Sequence, residues 1–262
     1  MRALLLPAVV LIASQISGGA LGQSAPTSEI APSGKLRAAL IGGNPVLVTK
    51  KPDGGIGGVS VDLGKFIAEK LGVPFDPVVY ADPESYTRSF GKGEWDIAIG
   101  PRRSSEAQIV DYSPNFMVLD HIYIAAPGRE FADASQVDRP GVKIAVIKDG
   151  APDVFLSRTL KSAELVRIAS GRDDAIEALK SGKADVYGSN APIVYRVADG
   201  FPTAKIVLGH FNLQPMAIAI PKGRSAAVQG KLAEIVNEAK ATGLVQKAIE
   251  QAGLRGVRVA PN

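Results

Sequence analysis

From Lys35 onward, short apolar runs alternate with segments whose apolar residues recur every three or four positions, which is the pattern of strands feeding helices. Leu36–Ile41 is a nearly unbroken apolar run closed by Gly42-Gly43, and it predicts a strand. Residues 50–58 are rich in turn formers and predict a loop or tight hairpin. Ser60 is the expected cap of a helix with the apolar face Leu63, Phe66, Ile67 and Leu71, stopped by Gly72. A strand is expected at Phe75–Tyr80, and Asp82-Pro83 supplies a cap and an N1 proline for a helix burying Tyr86 and Phe90. Residues 95–99 predict a third strand, ended by Gly100-Pro101.

The pattern then repeats. Strands are expected at 142–147, 165–168 and 184–187, and helices at 151–160 and 173–180. Between the two sets, residues 116–126 form an apolar stretch long enough to pass from one half to the other, and 213–220 form a similar stretch running back. After Pro221-Lys222-Gly223 a long helix is expected, with Leu232, Ile235, Val236 and Ala239 on one face. Gly243 breaks it, and 244–252 make a last short helix. The fold class this implies is α/β: two lobes with mainly parallel sheets joined by two hinge strands. Lobe 1 comprises 34–120 and 218–262, and lobe 2 comprises 121–217. Ligands of open parallel sheets sit beyond the C-terminal strand ends, so facing lobes place a site in the cleft.

The N-terminus changes where such a protein would work. Met1-Arg2, an apolar run over 3–13 and small and polar residues over 14–22 read as a secretory signal peptide, residues 1–22, ending at Ala20-Leu21-Gly22. Ala25 is the next cleavage candidate. The run is shorter than the roughly 20 apolar residues a spanning helix needs. Residues 23–33 read as a flexible leader.

Composition narrows the chemistry. A chain that is 46% hydrophobic and 21% charged builds a core and is not disordered. The absence of cysteine excludes disulfides, thiolate metal sites and a cysteine nucleophile, and the two histidines leave little material for a metal site or a Ser-His-Asp triad. No metal or cofactor is expected. The formal net charge of +4 is spread over 30 basic and 26 acidic residues with no basic run, which gives no case for nucleic-acid binding.

Five segments in order carry a resemblance: Gly57-Gly58-Val59-Ser60-Val61-Asp62-Leu63, 90–98 with Gly93 and Asp96, Val110-Asp111-Tyr112-Ser113-Pro114, 179–186 with Gly182-Lys183-Ala184-Asp185, and the tail 217–223 with its helix. Together they resemble the family 3 bacterial extracellular solute-binding proteins, with the type II periplasmic binding fold, over roughly residues 34–253. The resemblance implies a monomeric periplasmic receptor that closes on one small solute and delivers it to the membrane permease of an ABC importer. Asp62, Asp96, Asp111 and Asp185 read as scaffold caps, because a carboxylate after a glycine turn accepts backbone N–H bonds.

The family's amino-acid binders hold the ligand carboxylate with an arginine before Val-Asp-Phe-Ser. Here the loop Gly100-Pro101-Arg102-Arg103-Ser104-Ser105-Glu106 is about two residues shorter, and Glu106 or Gln108 falls at that place. Arg102 or Arg103 is the substitute guanidinium, the alternative being a pair of solvated arginines. Ser104 and Ser105 either donate hydroxyls or cap the next helix. In the second lobe Asn190 stands where many members carry the ammonium-binding Asp. Loss of both charged anchors favours an anionic, carboxylate-bearing solute over an ordinary α-amino acid. Gly150 and Ala151 resemble the family's Gly-Thr helix entry, with Lys148 beside it. Asn44 and Tyr80 complete the ligand candidates, against a turn-stabilising and a core role respectively. His121 is weighed between the cleft and a structural role, and Tyr187 between ligand and core. The runner-up is a periplasmic enzyme on the same fold, cyclohexadienyl dehydratase-like, with Glu106 as general acid. A soluble receptor for a separate sensor is the third reading.

Overall fold

The computed structural model describes residues 25–169 and 171–261. The expected signal peptide lies outside the described residues. Residues expected in the flexible leader instead form helix α1 (Ala25–Ile30), whose Thr27 and Ile30 are buried. The Glu29 carbonyl accepts from Arg224 Nη1 at 2.7 Å.

In the first lobe, β1 (Leu36–Ile41) lies between β4 (Phe75–Tyr80) and β5 (Ile97–Pro101), parallel to both. The short hairpin β2 (Thr49–Lys50) and β3 (Ile56–Gly57) leads into α2 (Val59–Leu71). The cap of α2 is Gly58 rather than Ser60. Gly58 has φ 100°, and a Cβ there would stand 2.8 Å from the Leu47 carbonyl oxygen. That close approach demands glycine and carries Ser60 inside the helix, fully buried. α3 (Pro83–Arg88) starts as expected, with Asp82 Oδ1 accepting from the Ser85 N–H at 2.7 Å in a reciprocal capping box.

Strands β6 (Val110–Tyr112) and β7 (Met117–Ala125) follow. The second lobe continues with β8 (Lys143–Ile147), α4 (Ala151–Thr159), β9 (Glu164–Ile168), α5 (Arg172–Lys180), β10 (Val186–Asn190), α6 (Ala191–Gly200) and β11 (Lys205–Ile206). β8 is parallel to β9 and β10, and β10 is antiparallel to β7. β12 (Asn212–Pro221) returns to the first lobe, where α7 (Ala226–Ala241) and α8 (Leu244–Gln251) pack on α2.

The sheet order is β4-β1-β5-β12-β7-β10-β8-β9. β7 and β12 pair antiparallel from His121↔Asn212 to Met117↔Met216 and belong to both lobes. One apolar core holds Met117 and Leu119 with Met216 and Ile218. Ile122 and Ile124 belong to a second core and Tyr123 and Ala125 to a third, one on each face of the second lobe's sheet. A third strand, unanticipated, lies along the crossing: β13 (Val257–Val259) pairs with β7 at Leu119↔Val257 and Met117↔Val259.

In each lobe a buried aspartate fixes where a strand begins. Asp96 accepts from the Arg37 backbone N–H at 2.9 Å and from its guanidinium at 2.7 Å. Asp185 accepts from the Lys143 N–H at 2.8 Å and pairs with Arg129 at 2.6 Å. β5 and β10 start after these residues, so both lie about two residues later than the sequence pattern suggested. Gly100 and Pro101 pair with Ala217 and Met216 instead of ending the strand.

Candidate functional site

The C-terminal ends of β1, β5, β8 and β10 all face the space between the lobes, where two adjoining chambers lie. The more enclosed one, about 250 Å³, is lined by Asn44, Pro101 and Arg103 from the first lobe. The crossing strands contribute Leu119, His121, Gln214 and Met216, and the second lobe contributes Asp149, Gly150, Ala151, Ser189 and Asn190, among others. The outer one, about 490 Å³, shares Arg103, Asp149, Ala151 and Gln214 with the first. It adds Arg102, Ser104, Ser105 and, from α4, Val154, Phe155 and Arg158.

Seven of the nine sequence-predicted ligand residues therefore meet in one cleft: Asn44, Pro101, Arg102, Arg103, Gly150, Ala151 and Asn190. Gly100 and Tyr80 line neither chamber. Gly100 sits under the Tyr86 hydroxyl, 2.8 Å from where a Cβ would stand, so its reason is close packing. Tyr80 donates its hydroxyl to Glu94 Oε2 at 2.7 Å and packs edge-on against Tyr86. Lys148 is exposed outside both chambers. Tyr187 is fully buried in core.

The two arginines of the loop after β5 are held differently. Arg103 donates to Thr87 Oγ1 at 2.9 Å, stands 3.7 Å from Glu106 Oε1, and lines both chambers. Arg102 donates to the Ser113 carbonyl at 2.6 Å with its guanidinium 5.2 Å from the Tyr112 ring centre, and lines the outer chamber. Glu106 is turned away from the cleft. It is buried and accepts the Tyr112 hydroxyl at 2.9 Å. Burial pushes that phenol up to about 12, so at neutral pH it keeps its proton for Glu106.

The neutral polar groups are partly committed. Asn44 Oδ1 accepts from the Val46 N–H at 3.0 Å, and Asn190 Oδ1 caps α6 through the Ile193 N–H at 3.2 Å. Neither amide nitrogen has a hydrogen-bond partner among the described residues, and both side chains line the inner chamber. The 3-10 turn of Ser104–Glu106 has no side-chain cap at Arg103, and Ser104 and Ser105 line the outer chamber. His121 faces the inner chamber, buried, with Nδ1 3.4 Å from Asn212 Nδ2 and its ring 5.7 Å from Phe211. Burial pulls its pKa down to about 4, against a small opposing pull from Asp120, so the imidazole is neutral at pH 7.

Asp149, Arg158, Ser189 and Gln214 were missed by the sequence reading. Asp149 has φ 59°, and no other non-glycine residue among those described has positive φ. It is held there by Asp153, whose Oδ2 accepts the Asp149 N–H at 2.9 Å while Arg167 pairs with the same carboxylate at 3.0 Å. Burial alone would raise the Asp153 pKa. The bonds from Asp149, Arg167 and Ser157 outweigh it and hold the carboxyl below its usual range. The stability this gives is present above the ordinary carboxylate pKa of about 4 and is lost as pH falls through the depressed native value. Asp153→Ala is expected to release the Asp149-Gly150-Ala151 turn and lower solute affinity at least tenfold. The acid-side contribution should disappear too, both readable by titration calorimetry and by urea melts at pH 3 to 5.

No protein-family model matches the chain. Cyclohexadienyl dehydratase of Pseudomonas aeruginosa is 27% identical over 191 residues, which span 71% of this chain and 70% of that protein. Among solved structures, the L-cysteine solute receptor of Neisseria gonorrhoeae superposes with a TM-score of 0.67 at 18% identity, covering 90% of this chain and 99% of that one. The ancestral amino acid-binding protein AncCDT-1, a precursor of cyclohexadienyl dehydratase, gives 0.66 at 20% identity, covering 87% and 99%. The fold is that of the type II periplasmic binding proteins. The seven gathered candidates line the cleft between the two lobes of this fold.

Proposed function

We propose that this chain is a periplasmic solute-binding receptor that closes its two lobes on one small polar solute and presents it to the permease of an ABC importer. The observation that carries this reading is the cleft: two chambers lined from both lobes, bridged by the β7 and β12 strands, with donors from each side. A ligand touching both lobes favours the closed state by the sum of contacts it makes only there. Val154 and Leu213, 45% and 40% exposed, line the outer chamber and offer apolar surface for closure to bury. The segment 1–22 supports export, and the proposed working form is a monomer. The lobe boundaries fall at 120/121 and 217/218, within the crossing strands.

The test is a thermal-shift screen of residues 23–262 against amino acids and small organic acids. A solute at a hundred times its Kd is expected to add about 2.7 kcal/mol of stability. Arg103→Ala is expected to weaken that solute at least thirtyfold in calorimetry. A screen with no stabilising solute would remove the receptor reading.

One observation favours a second reading, the 27% identity to a cyclohexadienyl dehydratase. Loss of water from a cyclohexadienyl ring gives an aromatic product, so incubation with such an acid and ultraviolet detection of that product separates turnover from binding. Glu106, the acid the sequence suggested, lies outside both chambers, which supports a receptor over an enzyme.

A further inference from the structure

The outer chamber carries more positive charge than one carboxylate needs. Arg102 and Arg103 reach it from the first lobe and Arg158 from α4 of the second, against Asp149 alone. Three guanidiniums and one carboxylate leave the lining two positive charges in excess. Glu106 offsets part of this through Arg103 but faces away from the chamber. Arg158 is exposed and, among the described residues, has no carboxylate or hydrogen-bond partner. Arg102 spends one amino group on a backbone carbonyl, which satisfies geometry without neutralising charge.

The inner chamber is different in kind. Beyond the shared Arg103 and Asp149, its polar lining is uncharged: Asn44, Ser189, Asn190, Gln214 and a neutral His121. Such groups pair with hydroxyl, carbonyl or amide functions, whereas guanidiniums pair bidentately with carboxylates.

Closure sharpens this contrast. It carries Arg158 toward Arg102 and Arg103 while removing water, so the like charges oppose closing unless an anion lies between them. A single carboxylate shared by Arg103 leaves Arg158 unpaired. A second anionic group answers it.

Resting on the receptor reading, we propose that the solute is a small dicarboxylate bearing a hydroxyl or carbonyl. One carboxylate would lie on Arg103 at the junction of the chambers and the second between Arg102 and Arg158. Arg158 is then the residue that selects two negative charges over one. No part of the sequence resemblance points to it, because it lies in the last turn of α4 on a face that the apolar pattern assigns to solvent.

The test is titration calorimetry with malate, 2-oxoglutarate and their monomethyl esters, alongside glutamine and arginine, on the wild type and on Arg158→Gln. The expected result is a dicarboxylate bound at least tenfold more tightly than its monoester. In Arg158→Gln the dicarboxylate should weaken about tenfold more than the monoester does. The dicarboxylate affinity should also fall more steeply with added salt than the monoester affinity. Equal affinities for diacid and monoester, or a ratio unchanged in Arg158→Gln, would overturn the proposal. Tight binding of glutamine or arginine with no diacid binding would overturn it too while leaving the receptor reading standing. A failure of every solute to bind would take both down.

Discussion

Asp96→Ala should lower the unfolding free energy by about 3 kcal/mol, the cost of breaking a buried charge pair and orphaning the N–H it serves. The carboxylate is 1% exposed and holds the Arg37 backbone N–H at 2.9 Å and its guanidinium at 2.7 Å. Arg37 remains 29% exposed, so water recovers part of its solvation and the loss stays at the lower end of the range for buried pairs. Nothing equivalent rescues the amide of β1, which lies between two neighbouring strands. For a domain of this size the expected drop in Tm is roughly 10 °C. Asp96→Asn keeps one acceptor for that amide and should lose about half as much. A double-mutant cycle with Arg37→Ala separates the charge from the cap. Solute affinity, measured where both proteins are folded, should stay near the wild-type value, because Asp96 lies at the end of β5 remote from the cleft.

The same aspartate shows what the sequence made legible. Turn glycines followed by Asp, and apolar runs of strand length, were enough to place every strand of the first lobe's parallel sheet and its partners in the second. The starts of β1 and β4 were legible to the residue, but those of β5 and β10 were not: the carboxylates of Asp96 and Asp185 hold the chain in its turn for two residues more, a tertiary constraint that local pattern does not contain. Helix α6 was also missed, although Asn190 followed by Pro192 is a cap-and-proline start. Asn190 caps α6 through its Oδ1 while its side chain also lines the inner chamber, so one residue carries both the helix start and a place in the cleft.

The cleft was legible where it is built from loops following strands, which is why Asn44, Arg103 and Gly150 fell together. It was not legible on helix faces or on the hinge. Arg158 and Gln214 reach it only because α4 and β12 pack as they do, and Asp149 because Asp153 bends its backbone. Tyr80 failed for the opposite reason: a residue at a strand end need not point inward, and Glu94 holds this one.

The site itself should respond to acid through His121. Its pKa of about 4 in the fold, against 6.5 when unfolded, means that the unfolded chain takes up a proton between those values and the native one does not. Stability from this group is therefore complete above pH 6.5 and falls progressively as pH drops to 4, by about 3 kcal/mol. Asp120, whose charge pulls the other way, is paired with Arg258 at 2.5 Å and offsets little of the burial. His121→Gln, which retains a donor and an acceptor but cannot ionise in this range, should remove that slope from urea melts recorded between pH 7 and 4. The Asp153 contribution, lost below the ordinary carboxylate pKa, should persist in the same variant. The two windows thus separate the imidazole of the hinge from the carboxylate of the helix entry. The imidazole also reports what enters the inner chamber. A carboxylate lodged beside it would raise its pKa toward neutrality and draw a proton on binding, whereas a hydroxyl or carbonyl would not. Calorimetry at pH 6.5 in two buffers of different ionisation enthalpy should find no proton uptake with malate. An uptake approaching one proton would place an anion against His121 and reverse the orientation of the solute in the cleft.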